Sequence, residues 1–122
     1  TAHQRIVAAL LRQIADQPGG EALPGIAVVT LIGVRVPDVV WQRTCGDEDP
    51  VRRAPTICVE VESGNNTRRE RNEKVAACLE AGAQEVILVE QTGRIRCFGA
   101  GGERGSSAFG LALTLPPGTS PL

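Results

Sequence analysis

Lysine is almost absent from this chain. Of its 13 basic residues only Lys74 is a lysine, and the rest are arginine. A compositional bias of the source genome accounts for that ratio by itself, yet it makes the position of the one lysine worth following. Aromatic residues are also scarce, at 2%, with one Trp, two Phe and no Tyr. A core must therefore be built from Val, Leu, Ile and Ala. Charge of one sign does not accumulate either. The net charge is −1 and the pI about 5.8, which excludes a global electrostatic footprint for nucleic acid and leaves only a local patch.

No C-x-x-C pair occurs among Cys45, Cys58, Cys78 and Cys97. Three of them sit inside apolar elements, where cysteine packs as a small hydrophobe. Neither a zinc site nor a disulfide framework is expected, and an intracellular, cytoplasmic location follows as the default. No apolar run reaches transmembrane length and no n-region precedes an h-region, so no membrane association is expected. The chain does not begin with Met, so a trimmed or partial chain is expected.

What is present is enough for one domain. The 122 residues contain 42% hydrophobic and 22% charged residues, ordinary values for a globular unit. Residues 3–16 place Ile6, Leu10, Leu11 and Ile14 at helical spacing, which predicts an amphipathic helix. "QPGGEALPG" breaks it. Residues 26–41 read as two strands, 26–32 and 35–41, bent at Gly33, with Pro37 marking an edge, a bulge or a strand start. A polar loop leads to the strand "TICVEVE". The next segment holds a helix, with Thr67 and Glu70 spaced as a capping box and Gly82 placed to terminate it. "QEVILVEQ" and "RIRCFG" read as strands joined at Thr92–Gly93. "AGGERGSS" reads as a flexible loop, "AFGLALTL" as a last strand or a docking segment, and residues 115–122 as a tail. The strand–helix–strand unit at 56–91 requires parallel strands. The expected class is α/β, a mixed β-sheet flanked by helices.

The acids in the third strand carry the functional question. Side chains alternate along a strand, so Ile57, Val59 and Val61 face one way and Cys58, Glu60 and Glu62 the other. Carboxylates on a core strand must be solvated, paired or bound to a cation. An isolated E-x-E is more often an exposed strand end. Asp38, after Pro37 and before "VVW", adds an acid on another strand, and two such acids can share a hard divalent cation such as Mg²⁺. On the following helix Val75, Cys78 and Leu79 form the inward stripe, with Lys74 on its edge and Arg68 and Arg71 at its N-terminal end. Arginine in a first turn opposes the helix dipole, so a nearby anion is expected: Glu60, Glu62 or a phosphate. The plainer alternative pairs these arginines with Glu70 and Glu73 on a solvated face.

These motifs in this order resemble the Uma2 family of restriction-endonuclease-like proteins, within the PD-(D/E)XK nuclease superfamily. Pro37 and Asp38 match its P-D element. Glu60, Val61 and Ser63 match its E-V-x-S strand. Arg69, Glu70 (in place of Asp) and Lys74 match its R-D-x-x-x-K helix. Gly82, Ala83, Glu85 and Glu90 loosely match its last element, and the helix beginning at His3 looks like its H-x-x-I helix. The resemblance spans residues 3–98. The chain departs from the pattern at Val86, Ile87 and Cys78, where the family has aromatics. It also carries Glu62 where the wider superfamily often has lysine, and it lacks the segment that usually precedes the first helix.

The resemblance implies a single restriction-endonuclease-like domain over residues 1–122. It implies that Asp38 and Glu60, helped by the Val61 carbonyl, bind Mg²⁺ or Mn²⁺. Lys74 would orient the attacking water or steady developing negative charge. Glu62 would act as a supporting base or a ligand of a second ion, and Arg68 and Arg71 would hold phosphates. The implied activity is Mg-dependent endonucleolytic hydrolysis of nucleic acid, DNA first, by a homodimer. The apolar surface for that dimer is sought in the Val/Ile-rich hairpin strands and in "AFGLALTL". The competing readings are a catalytically eroded nucleic-acid-binding or assembly module on the same fold, and a structural domain with incidental acids.

Overall fold

The computed structural model describes residues 1–43, 55–64 and 67–116. Cys45 and the acidic and basic residues of the loop at 44–54 lie outside the described residues. Helix α1 runs Ala2–Ala15. Thr1 caps it by accepting from the Gln4 N–H, and the Gln4 side chain returns the bond. Its buried face is Ile6, Ala9, Leu10 and Ile14.

Strands β1 (Glu21–Pro24), β4 (Val39–Gln42), β5 (Ile57–Val61), β6 (Glu85–Val89), β7 (Ile95–Gly99) and β8 (Gly102–Arg104) form a six-stranded sheet in the order β1-β4-β5-β6-β7-β8. The β5–β6 pair is parallel and the other pairs are antiparallel. Strands β2 (Val28–Thr30) and β3 (Gly33–Arg35) stand apart as a hairpin. Helix α2 runs Arg68–Glu80 between β5 and β6. Thr67 accepts from the Glu70 N–H at its start. At its end Gly82, at φ 115°, donates to the Leu79 carbonyl while Ala83 donates to that of Cys78. That double bond satisfies the last carbonyls and needs a residue tolerant of positive φ.

The sheet is covered on both faces. On one, α1 packs Ile6, Leu10 and Ile14 against Ile57, Val59 and Val61. On the other, Val75 and Cys78 of α2 pack with Val28 against Val40, Cys58 and Val86. The mixed α/β sheet expected from the sequence is present, with four local differences. The breaker "QPGGEALPG" contains β1, because pairing with β4 supplies the hydrogen bonds that propensity does not favour. Gly20 is essential there, since a Cβ would collide with the Gln42 backbone and the Trp41 ring. Residues 35–41 do not form one strand: β3 ends at Arg35 and β4 begins after Asp38, because Pro37 has no N–H for a ladder.

"AGGERGSS" contributes β8 rather than only loop. "AFGLALTL" forms no strand and serves as the docking segment. Phe109, Leu111, Leu113 and Leu115 pack on the α1-side core. Gln13 and Thr114 hold it with paired 2.8 Å bonds, side-chain amide to backbone in both directions. Of the apolar hairpin strands, β6 is buried throughout and β7 only in part. The large exposed hydrophobics are instead Leu31, Ile32, Val34 and Val36 of the β2–β3 hairpin.

Candidate active site

Asp38 sits at the entrance to β4, and its own N–H donates to the Val59 carbonyl at 3.0 Å. Its Oδ2 accepts from the Val61 N–H at 2.7 Å. The acid is thus tied by its backbone and its side chain to the strand that carries the other two. Pro37 directs this: with no strand possible before it, Asp38 turns its carboxylate onto β5 rather than into a ladder.

Glu60 lies on the α2-facing side of β5, as alternation predicts, but that side is not open. Glu60 is only 9% exposed, flanked along the strand by buried Cys58. Burial, reinforced by the charge of Asp38, pushes its carboxyl up to about 8, while Lys74 opposes the shift. A carboxylate so placed calls for positive charge. Lys74, half-buried on α2, lines a small pocket with Glu60, Val61, Glu62, Arg71 and Leu88. The pocket, about 20 Å³, has room for about one water molecule. The only lysine of the chain therefore lines the same pocket as both strand acids.

Glu62 continues the row. Its Oε1 accepts from Arg71 Nη1 at 3.2 Å, and its Oε2 is buried with no hydrogen-bond partner among the described residues. Arg71 thus finds an anion, as its place in the first turn of α2 demands, and that anion is Glu62. Arg68 does not join them. It is exposed and lines an open groove with Arg69, Asn72, Glu73 and Ala76, away from the acids. Arg69 pairs with Glu73 at 3.1 Å on that solvated face.

One residue enters the site that the motif reading named only as the start of a helix. His3 Nε2 lies 3.2 Å from the Val61 carbonyl oxygen and 3.6 Å from Asp38 Oδ2. It is the only histidine in the chain, which was the available signal. Its partner is 58 positions away, a separation that no local pattern reports. Cys78, one turn beyond Lys74, hydrogen-bonds Cys58. That contact lowers the Cys78 thiol and, with burial, raises Cys58. Cys58, Cys78 and Cys97 are free and buried, so the described cysteines form no disulfide.

Among the described residues no three His, Cys, Asp or Glu side chains converge as a ready-made metal cluster. The donor set that remains is all oxygen: Asp38, Glu60 and the Val61 carbonyl. That set fits Mg²⁺ or Mn²⁺, hard ions that keep several waters and need few protein ligands. The raised Glu60 carboxyl fits the same cation, whose charge would offset the repulsion from Asp38.

The six-stranded mixed sheet with an acid-bearing β-α-β unit and flanking helices is an α/β fold. It superimposes on the crystal structure of a protein from Anabaena variabilis ATCC 29413, described as a "putative nuclease belonging to DUF820", with a TM-score of 0.67 and 15% identity. The match covers 81% of this chain and 63% of that one, so the chain spans less than two thirds of that protein's length. The Uma2 model, described as "putative restriction endonuclease", matches residues 1–119, and the chain belongs to that family. No curated protein matches it. Among the described residues no helix is long and apolar enough to cross a membrane.

Proposed function

We propose that the protein is a divalent-metal-dependent endonuclease that hydrolyses nucleic-acid phosphodiester bonds. The observation that carries the reading is Glu60: a buried carboxyl, raised to about 8, set between Asp38 and the chain's one lysine. Membership of the Uma2 family supports it. Asp38, Glu60 and the Val61 carbonyl would hold Mg²⁺ or Mn²⁺, and such a cation would polarise the phosphodiester oxygen. The other roles belong to the protein. Lys74 lines the pocket that Glu60 and Glu62 share, where its ammonium would orient a water molecule and steady negative charge on phosphorus-bound oxygens. The Val61 N–H fixes the Asp38 carboxylate through Oδ2, which keeps a second lone pair for a cation. Glu62, with one oxygen on Arg71 and one unpartnered, is positioned to accept a proton from that water or to hold a second ion. Arg71 would hold a phosphate after exchanging Glu62 for it, whereas Arg68, in the open groove away from the acids, could meet the substrate only beyond the site.

In this reading residues 1–122 form one domain, the substrate is nucleic acid, DNA first, and two copies act together to cut both strands. The Arg71–Glu62 pair supports a second reading, because it neutralises a cation that phosphate would need. Under that reading the chain binds nucleic acid or a partner without cutting. Metal-dependent cleavage of DNA and RNA separates the two. Cleavage that requires Mg²⁺ or Mn²⁺ and is lost in Lys74→Ala is expected. Metal binding without any cleavage would establish the second reading instead.

A further inference from the structure

We propose that His3 is a direct ligand of the cation, so that the site is a mixed nitrogen–oxygen site selecting Mn²⁺ over Mg²⁺. This rests on the metal-dependent reading above and adds to it a residue and a metal preference. Three atoms converge at the junction of α1, β4 and β5: His3 Nε2, the Val61 carbonyl oxygen and Asp38 Oδ2. The nitrogen stands 3.2 Å from the first oxygen and 3.6 Å from the second.

A hydrogen bond accounts for only part of this. At 3.6 Å the approach to Asp38 is too long for an N–H donor. An imidazole also has one proton at most to offer from Nε2, and two oxygens face it. The separations instead suit neighbouring ligands of one ion. Donors at right angles around a cation at about 2.1 Å lie about 3 Å apart. His3 and Asp38 supply two side chains and Val61 a carbonyl, and Glu60 stays the further oxygen ligand of the site proposed above. Glu60, on the α2-facing side of β5, is near enough to Asp38 to feel its charge.

The placement of His3 is also built rather than incidental. Thr1 and Gln4 close a reciprocal cap around it, which fixes the first turn of α1. Ile6 and Leu10 seat that helix on the same strand residues, Val59 and Val61, that bracket Glu60. An imidazole held at this point changes which ion the site prefers. Oxygen-only sites suit Mg²⁺ and Ca²⁺, whereas a nitrogen ligand favours the first-row transition ions.

The test uses the whole chain with Mn²⁺ as the probe. Pulsed electron paramagnetic resonance of bound Mn²⁺ is expected to show coupling to one directly ligated ¹⁴N, lost in His3→Ala. Calorimetry is expected to show Mn²⁺ affinity in His3→Ala reduced by at least the roughly tenfold that even an outer-sphere partner costs, with Mg²⁺ affinity changed far less. The ¹⁴N measurement on the unaltered protein stands whether or not the variant folds. Mn²⁺ that binds, is lost in Asp38→Asn, and shows no ligated nitrogen would overturn the role of His3 and leave the Asp38–Glu60 site intact. Absence of Mn²⁺ binding, or binding unaffected by Asp38→Asn, would overturn both.

Discussion

The Val61 backbone N–H donates to Asp38 Oδ2 at 2.7 Å, which joins the acid before β4 to the strand that bears Glu60 and Glu62. The bond gives Asp38 a structural share as well as a chemical one. Asp38→Ala is expected to cost about 1–3 kcal/mol, because it leaves a part-buried N–H without its acceptor. Asp38→Asn keeps an acceptor oxygen and should cost clearly less, while losing the charge that holds a cation. Urea unfolding beside a Mn²⁺ titration reads both effects. Equal destabilisation by the two variants would show that the bond contributes nothing.

Glu60 makes the metal-free protein sensitive to pH. Its carboxyl lies at about 8 in the folded chain against an ordinary 4.5, chiefly through burial and then through Asp38. The folded state therefore binds the proton more tightly than the unfolded chain. The associated stability is fully present below about 4.5 and is lost as pH rises through about 8. Melting temperature in chelator should fall across that window, and Glu60→Gln should flatten the fall. Cation binding near neutral pH should release close to one proton, seen as a buffer-dependent heat in calorimetry. Lys74→Ala should move the carboxyl higher still, since Lys74 opposes the shift. A carboxyl carbon titration by NMR that places Glu60 near its ordinary value would contradict all three expectations.

Arg71 and Glu62 form a pair in which the acid is the more buried partner, 8% exposed against 20%. Arg71→Ala strands that carboxylate and is expected to destabilise by roughly 3 kcal/mol, the lower edge for breaking a buried pair. Adding Glu62→Gln to Arg71→Ala should recover part of the loss, because the stranded charge is gone. A double variant as unstable as the sum of the two singles would show that the pair is not coupled.

Glu85 is fully buried and accepts from Ser107 Oγ at 2.6 Å and from the Ala108 N–H at 2.7 Å. Arg104 stands 3.7 Å from the same carboxylate. These contacts anchor the segment whose leucines cover the α1-side core. Glu85→Ala is expected to cost about 2–4 kcal/mol and to expose residues 107–115 to limited proteolysis. If protease resistance there is unchanged, Gln13 and Thr114 hold the segment without Glu85.

Much of the fold was legible because its signals are local. The stripe of Ile6, Leu10 and Ile14, the Thr67 cap and the Gly82 stop each act within a turn or two of helix. The alternation of Ile57, Val59 and Val61 is equally local and sorted the two faces of β5 correctly. What escaped depends on partners far along the chain. Strand β1 exists because β4 offers it a ladder, in spite of Pro24 and the glycines that flank it. Strand β8 exists because β7 does the same. The Leu111–Leu115 segment gains more from covering the α1 layer than from pairing as a strand. Leu31, Ile32 and Val36 fall in runs read as strand, yet the β2–β3 hairpin forms its own two-stranded sheet and, though Val28 is buried beneath it, leaves them exposed.

The site divides in the same way. Residue type and spacing alone put Asp38, Glu60, Glu62 and Lys74 on consecutive elements around a parallel crossover, since strand alternation and helix pitch are set within each element. Which of those groups are dry and which are paired was decided only when α2 closed over β5. That closure buried Glu60, gave Glu62 to Arg71 and left Arg68 outside, while the packing of α1 on the opposite face brought His3 to the Val61 carbonyl. Burial and charge pairing depend on the sum of all neighbours in space, and a linear pattern specifies only those nearby in the chain.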